Sequence, residues 1–353
     1  MKKLLLASVA VSGLAFAAAP AYAEIDLTVD GYFKGYGAVV DQDETAGTDV
    51  NAFDILRDTE LHIGGETTLD NGLTVGAHFE LSVDQADDNA AINESYVYFS
   101  GNWGRVNFGG EDGAGYLLQV AAPSADSNVD GLRQYIQPFA TTGGLTSTRL
   151  DYDMNPSGKA DKLTYLSPIF SGFQVGLTMS PDTDNASDFG GVGTETTTPL
   201  DDISETYEIG ARYEGQFQNV GVIAGAGYSH GEQNGTAAAL DDRKVWNVGL
   251  DLDIGPFGIG ASYSEDNNAL DTGDTETLVV GVDYTTGPFK LGATYFNADT
   301  DNGVEFDRYT GGVTYQYGPG MSFRGSIQHL EQDNNGAADA DGTALLLGTQ
   351  INF

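Results

Sequence analysis

The sequence predicts an all-β fold, a transmembrane antiparallel β-barrel of 16 strands. Three observations predict this fold class. Apolar and polar residues alternate along many short segments, short and long connections alternate between those segments, and no long apolar run follows the N-terminus. A helix that crosses a bilayer needs about 20 consecutive apolar residues. A barrel strand needs only one apolar face toward lipid and one polar face toward the lumen.

The N-terminus has the pattern of an export signal. Met1-Lys2-Lys3 is positively charged, residues 4–19 are apolar, and Ala21-Tyr22-Ala23 is an A-x-A cleavage sequence. An uncleaved anchor is the alternative, but the apolar stretch is shorter and richer in alanine than a typical span. We therefore expect a signal peptide at 1–23 and a single barrel domain at 24–353.

Charge and composition exclude other classes of protein. Asp and Glu number 52 against 15 Lys and Arg, and the formal charge of −37 is opposite to the basic surface that nucleic acid requires. Cysteine is absent, so disulfides and thiolate sites are excluded. The 18 Tyr and 17 Phe, together with abundant aliphatic residues, argue against a disordered acidic chain.

Alternation with a period of two is clearest in residues 59–69, 73–83, 278–284 and 343–353. In 73–83 the odd positions are apolar and the even ones are polar or glycine, and 59–69 alternates in the same way. The parity directs four polar side chains to the lumen, namely Glu60, His62, His78 and Glu80. The simplest interpretation of both histidines is a hydrated lumen side chain, and a metal-binding or proton-sensing role is the alternative.

The connections between strands separate a membrane barrel from a soluble sandwich. Seven short turns, such as Asn71-Gly72 and Pro319-Gly320, alternate with eight longer acidic stretches, which makes 15 connections and 16 strands. A strand plus its connection then has roughly 21 residues, enough for a spanning strand of about 9–11. Long connections at one end only are typical of an outer-membrane barrel.

Several segments carry a family resemblance: Val29 to Gly35, Gly65 to Leu73, Ser95 to Gly109, Leu163 to Phe173, and the terminal Phe353. Together they resemble a Gram-negative general porin of the alphaproteobacterial type. The resemblance implies a homotrimer in the cell outer membrane, in contact with lipopolysaccharide. It also implies a third loop that folds into each barrel, and a C-terminal Phe353 that is read by the outer-membrane assembly machinery.

The third long stretch, 112–160, fits the inward-folded loop. It is the longest, and its segments 116–120 and 132–136 are unusually apolar for a loop in water. A position inside the barrel would bury those side chains. The candidate constriction residues are Glu111 at the root of the loop, Asp112, Asp126, Asp130 and, as a compensating positive charge, Arg133.

The wall opposite this loop departs from the family pattern. Such porins usually place Arg or Lys there, and the opposed charges create a transverse field that sorts permeants. Lys34 keeps its expected place on the first strand. The positions where relatives often carry Arg hold other residues, namely Glu60, Asn93, Gly110 and Thr164. We therefore expect passive diffusion of small hydrophilic solutes and ions with a preference for cations.

Other functions are alternatives. A substrate-specific porin would show a run of aromatic residues along the path, and a structural or adhesive surface protein or a soluble acidic β-protein would form no channel. An enzyme would need a Ser/His/acid set, and none of the four histidines lies in a nucleophile motif, so we expect no enzyme. Acidic loops such as 299–302 offer oxygen ligands for weakly bound calcium, but we expect no resident metal or cofactor.

Overall fold

The computed structural model describes residues 25–83, 91–125, 129–147, 150–183 and 203–353. Sixteen strands form one closed antiparallel barrel, in which each strand pairs with its neighbour along the chain and the first pairs with the last. This confirms the predicted fold class and strand number. The signal peptide predicted at 1–23 and the candidate residue Asp126 lie outside the described residues.

The elements of the first half of the chain are β1 (Asp26–Gln42), β2 (Phe53–Thr68), β3 (Thr74–Ser82), β4 (Ala91–Gly101), β5 (Gly104–Gly110), α1 (Ala114–Leu117), β6 (Val129–Asp130), β7 (Arg133–Gln134), β8 (Asp161–Leu166) and β9 (Phe173–Ser180). The second half contains β10 (Ile203–Phe217), β11 (Val220–Gln233), β12 (Arg243–Ile254), β13 (Phe257–Asp266), β14 (Thr275–Thr286), β15 (Phe289–Thr300), β16 (Val304–Gly318), β17 (Met321–Asn334) and β18 (Ala340–Asn352). The short strands β6 and β7 form a separate two-stranded sheet and lie, with α1, in the connection from β5 to β8. Among the described residues, no helix is long and apolar enough to cross a membrane.

The two faces of each strand differ in burial as the alternation predicts. On β1 the even positions Lys34 and Tyr36 are buried, whereas the odd positions Leu27 and Val29 are 76% and 60% exposed. The register carries this parity around the barrel, because directly paired residues point to the same face. Glu60 pairs with Tyr32 on the inward face.

Outward-facing aromatic rings form two belts. At the short-turn end the ring centroids of Phe173–Tyr213, Phe257–Tyr284 and Phe289–Tyr315 are 4.6, 4.9 and 4.8 Å apart. At the long-loop end Trp246–Tyr263 and Tyr295–Tyr309 are each 5.2 Å apart. Exposed aliphatic side chains such as Leu250, Ile259 and Val282 lie between the belts. This pattern is typical of strands that span a bilayer, with aromatic rings at both interfaces.

The connections alternate in length, but two of the predicted long loops are short. Residues 299–307 and 331–342 were expected to be loops, whereas β15 continues to Thr300 and β17 continues to Asn334. The ladder runs on through pairs such as Asp299–Glu305. Beyond the lipid a strand can carry acidic side chains on both faces, because both faces meet water. Composition alone therefore mistook solvated strand ends for loops.

The C-terminal residue closes the barrel. The backbone N–H of Gly31 donates to the carbonyl oxygen of Phe353 at 3.0 Å, and the N–H of Phe353 donates to the carbonyl of Gly31 at 3.1 Å. The side chain of Phe353 is 51% exposed.

Candidate functional site

The first part of the β5–β8 connection lies directly against the inner wall. Helix α1 and the residues that follow it, up to Ala125, pass over β9 to β15 where those strands carry inward glycines. We call these glycines the glycine track: Gly176, Gly210, Gly225, Gly249, Gly260, Gly281 and Gly292. A Cβ atom at Gly225 would lie 2.8 Å from Cγ2 of Val120, and one at Gly292 would lie 3.0 Å from the backbone nitrogen of Ala125. The loop backbone can approach the strands this closely because glycine has no side chain.

The later part of the connection packs on the next section of the wall, from β14 round to β1. Its apolar side chains form one buried cluster with inward residues of β1 and of β14 to β18, among them Tyr36, Phe296 and Leu346. Hydrogen bonds add to this contact. Arg308 Nη1 donates to Gln134 Oε1 at 2.6 Å, and the Thr146 N–H donates to Gln332 Oε1 at 2.8 Å. The loop residues Leu132 and Ile136, which the sequence marked as too apolar for water, are 8% and 2% exposed.

A polar group of side chains faces the lumen on β1, β2 and β3. We call it the acidic wall cluster and define it as Asp30, Glu60, His62, His78 and Glu80. His62 Nε2 lies 3.4 Å from Glu60 Oε2 and 3.7 Å from Glu80 Oε2. On the other side of the ring, His62 Nδ1 lies 3.7 Å from Asp30 Oδ1. The side chains of Glu60 and Glu80 are 13% and 14% exposed, and that of His62 is 26% exposed.

The loop side of the site carries paired charges. Arg133 Nη2 lies 2.9 Å from Asp112 Oδ1, and Arg133 Nε lies 3.1 Å from Asp153 Oδ2. Lys159 Nζ lies 2.8 Å from Asp112 Oδ2 and also contacts the carboxylate of Glu94 on β4. Burial alone would lower the pKa of Lys159, but the carboxylates of Asp112 and Glu94 outweigh burial and raise it. Lys159 therefore ties the loop to the wall as a charged group.

The predicted site residues fall into different environments. Glu60, His62, His78 and Glu80 come together in the acidic wall cluster, and Asp112 and Arg133 come together in the loop. Lys34 is 2% exposed, with its ammonium 3.5 Å from the centre of the Tyr135 ring, and Glu111 is 3% exposed. Asp130 belongs to the β6–β7 hairpin, where its backbone pairs with Arg133.

Sequence reasoning did not find Glu94, Asp153, Lys159 or the glycine track. The ion pairs join residues that are far apart in the chain, and no local pattern marks them. The glycine track did have a signal. Glycines stand directly opposite one another on the inward face of neighbouring strands, as in the pairs Gly176–Gly210, Gly225–Gly249 and Gly260–Gly281. Such rows indicate a wall against which another segment packs.

Glu111, at the root of the loop, supports a prediction about pH. Burial raises its pKa to about 7, although the side-chain amide of Asn107 donates to its Oε2 at 2.8 Å. When the pKa of a carboxyl is higher in the folded than in the unfolded protein, the folded protein loses stability as the pH rises from the pKa of the unfolded state to that of the folded state. We therefore expect Glu111→Gln to raise the unfolding temperature at about pH 8, by an amount equivalent to roughly 3 kcal/mol, and to have little effect at about pH 5.

The measurement is the temperature at which the folded barrel changes its electrophoretic mobility in detergent, taken at both pH values. Glu66→Gln is a matched control, because Glu66 is a lumen-facing carboxylate on β2 that lies outside the loop contact. An equal effect of Glu111→Gln at the two pH values would contradict the prediction.

Comparison with known proteins adds a family and a set of similar folds. A family model described as Gram-negative porin matches residues 7–335. An anion-selective porin from Comamonas acidovorans has a TM-score of 0.66 at 16% identity, over 94% of this chain and 100% of that one. A second porin structure has a TM-score of 0.61 at 18% identity, over 93% of this chain and 100% of that one. A variant of the Rh. blastica porin has a TM-score of 0.58 at 19% identity, with the same two coverages. No curated protein sequence matches the chain at a significant level. At these identities the structural likeness shows the fold alone.

Proposed function

Because the chain belongs to the Gram-negative porin family, we propose that its outer-membrane channel is cation-selective and passes small hydrophilic solutes by passive diffusion. The porin family and the barrel make this protein an outer-membrane channel and not an enzyme. A barrel of 16 strands is wide enough to hold an aqueous path. What the family leaves open is the sign of the ions that the path favours.

The observation that carries the proposal is the acidic wall cluster. Glu60 and Glu80 both lie beside the imidazole of His62, and the side-chain amide of Asn93 donates to Glu80. The ammonium of Lys34 acts on Glu60, so one lysine faces the three carboxylates of the cluster. On the loop side, by contrast, the Asp112 carboxylate pairs with the cationic groups of Arg133 and Lys159. The excess negative charge therefore lies on the wall. Carboxylates that line a narrow path stabilise cations and repel anions.

The similarity to an anion-selective porin does not oppose this assignment. Selectivity depends on the charges that line the path and on its width, whereas the likeness of the two proteins is one of fold. The wall position at which the family resemblance led us to expect Arg holds Glu60.

The experiment is a reversal-potential measurement on the purified protein in a planar bilayer with a KCl gradient. We expect the sign that indicates preferential passage of K⁺, and a smaller preference at high salt because ions screen the wall charges. A reversal potential of the opposite sign would refute cation selectivity while leaving the channel itself in place.

A second measurement is the flux of uncharged sugars through the channel. A flux that rises linearly with sugar concentration supports passive diffusion, and a flux that saturates would instead indicate a substrate-specific porin.

We also propose that the protein works as a homotrimer that contacts lipopolysaccharide, and that Phe353 is read by the outer-membrane assembly machinery. The exposed side chain at the closing seam of the barrel supports the role of Phe353. A trimer is expected to run as a large species on a detergent gel until it is heated, and a single-chain species in the unheated sample would contradict it. Phe353→Ala is expected to reduce the amount of folded protein in the outer membrane.

A further inference from the structure

The acidic wall cluster contains a group of potential metal ligands. One nitrogen of His62, one nitrogen of His78 and one carboxylate oxygen of Glu80 all lie within 4.8 Å of one another. The three residues come from two adjacent strands, since His62 pairs with Glu80 and Gly64 pairs with His78. The two rings are 5.5 Å apart and nearly perpendicular.

We propose that His62, His78 and Glu80 bind a divalent transition-metal cation such as Zn²⁺ on the wall of the pore. Two imidazoles and one carboxylate are a donor set that suits Zn²⁺, whereas Mg²⁺ and Ca²⁺ prefer oxygen ligands alone. Three protein ligands leave the fourth tetrahedral position for water. The three side chains are partly exposed, so water of the lumen can supply the fourth ligand.

The surroundings of His62 hold its ring in a suitable orientation. His62 Nε2 is in hydrogen-bond contact with Glu60 Oε2 in the metal-free protein, and Asp30 Oδ1 lies 3.7 Å from Nδ1. When a metal binds, the ring proton would move to Nδ1, toward the Asp30 carboxylate, and the lone pair of Nε2 would bind the ion beside Glu80. A carboxylate behind a ligating histidine is the usual second partner in metal sites, because it sets the tautomer and raises the basicity of the ligand. Glu60 Oε2, at 3.4 Å from the same Nε2, adds negative charge beside the ion.

The required movement is small. Donor atoms of a tetrahedral zinc site lie about 3.3 Å apart for bonds of about 2.0–2.1 Å, and the 3.7 Å between His62 Nε2 and Glu80 Oε2 is close to that value. The side chain of His78 must move further than those of His62 and Glu80. Its ring centroid lies 5.3 Å from that of Tyr96, and rotation of the side chain would bring a ring nitrogen closer to the other two ligands.

A bound dication would change the path itself. It would place two positive charges on the wall where the proposed function requires carboxylates, so it would reduce both the K⁺ current and the cation preference. Direct binding of the metal does not depend on selectivity. A calorimetric titration therefore tests the site even if the proposal of cation selectivity fails.

The binding experiment is a calorimetric titration of the folded protein in detergent with ZnCl₂. We expect one Zn²⁺ site per chain, weakened at least about tenfold by His62→Asn, by His78→Asn and by Glu80→Gln. The matched controls are His230→Asn and His329→Asn, because these two histidines lie on the outward faces of β11 and β17. Each variant is first shown to be folded by its heat-dependent mobility on a detergent gel.

Two further measurements sharpen the test. Asp30→Asn is expected to weaken Zn²⁺ binding about tenfold, and Glu66→Gln, which removes another lumen carboxylate, is expected to weaken it less. In a bilayer, Zn²⁺ is expected to lower the current of the wild-type channel at concentrations at which Mg²⁺ does not. Unchanged Zn²⁺ affinity in His62→Asn and His78→Asn, or an equal loss in His329→Asn, would overturn the site.

Discussion

Replacing Glu60 by arginine is expected to lower the cation-to-anion permeability ratio of the channel about tenfold at low salt. Glu60 lies on the inward face of β2 within the acidic wall cluster. The substitution changes the local charge by two units. At about 10 Å in a water-like medium each unit changes the energy of a passing monovalent ion by roughly 0.4 kcal/mol, with opposite signs for a cation and an anion. Two units therefore change the cation-to-anion ratio by roughly 1.7 kcal/mol, somewhat more than a factor of ten. The measurement is the reversal potential in a KCl gradient.

Two variants serve as references for this prediction. Glu60→Gln changes the charge by one unit and should give an intermediate ratio, and it avoids inserting a longer side chain. Glu305→Arg makes the same two-unit change on the exposed outward face of β16, near the long-loop end of the barrel. Its permeability ratio should stay close to that of the wild type. Equal ratios for Glu60→Arg and Glu305→Arg would show that total charge, and not the wall cluster, determines selectivity.

Substituting valine for Gly281 is expected to displace the loop from the wall, lower the single-channel conductance and destabilise the barrel by about 1–3 kcal/mol. A Cβ atom at this position would overlap the carbonyl oxygen of Pro123 and lie 3.0 Å from its carbonyl carbon. The strand cannot retreat, because β14 is paired along its length with β13 and β15. The loop must therefore shift toward the lumen and narrow the path.

The matched control is Gly311→Val on β16. Gly311 faces outward, and a Cβ atom there would meet only Ile327 Cγ2 at 3.7 Å, an ordinary contact. We expect near-normal conductance and heat resistance for Gly311→Val. Gly281→Ala is a milder version that keeps the experiment interpretable if the valine variant does not assemble. If Gly281→Ala and Gly311→Val both conduct like the wild type, the glycine track does not position the loop.

The sequence predicted the wall better than the site. Alternation with a period of two assigned Glu60, His62, His78 and Glu80 to one face, because a strand permits only two directions for its side chains. It did not show that Asp112 would be paired with Arg133 and Lys159. That pairing depends on the path of a 50-residue connection, from 111 to 160, through the barrel. Residues that form an ion pair but are far apart in the chain show no recognisable pattern in the sequence around either of them.

By itself, the sequence determined the class of the fold, the number of strands and the face on which residues of the clearly alternating strands lie. Those properties follow from local rules: the two-residue period of a strand, the turn residues and the length that a bilayer requires. The tertiary structure alone decided which charges remain open to the path and which are neutralised. The loop packs along the glycine track, and its later part packs in the buried cluster that contains Tyr36. Placing a side chain relative to a distant segment is a matter of packing in three dimensions, and the alternation of residues carries no information about it.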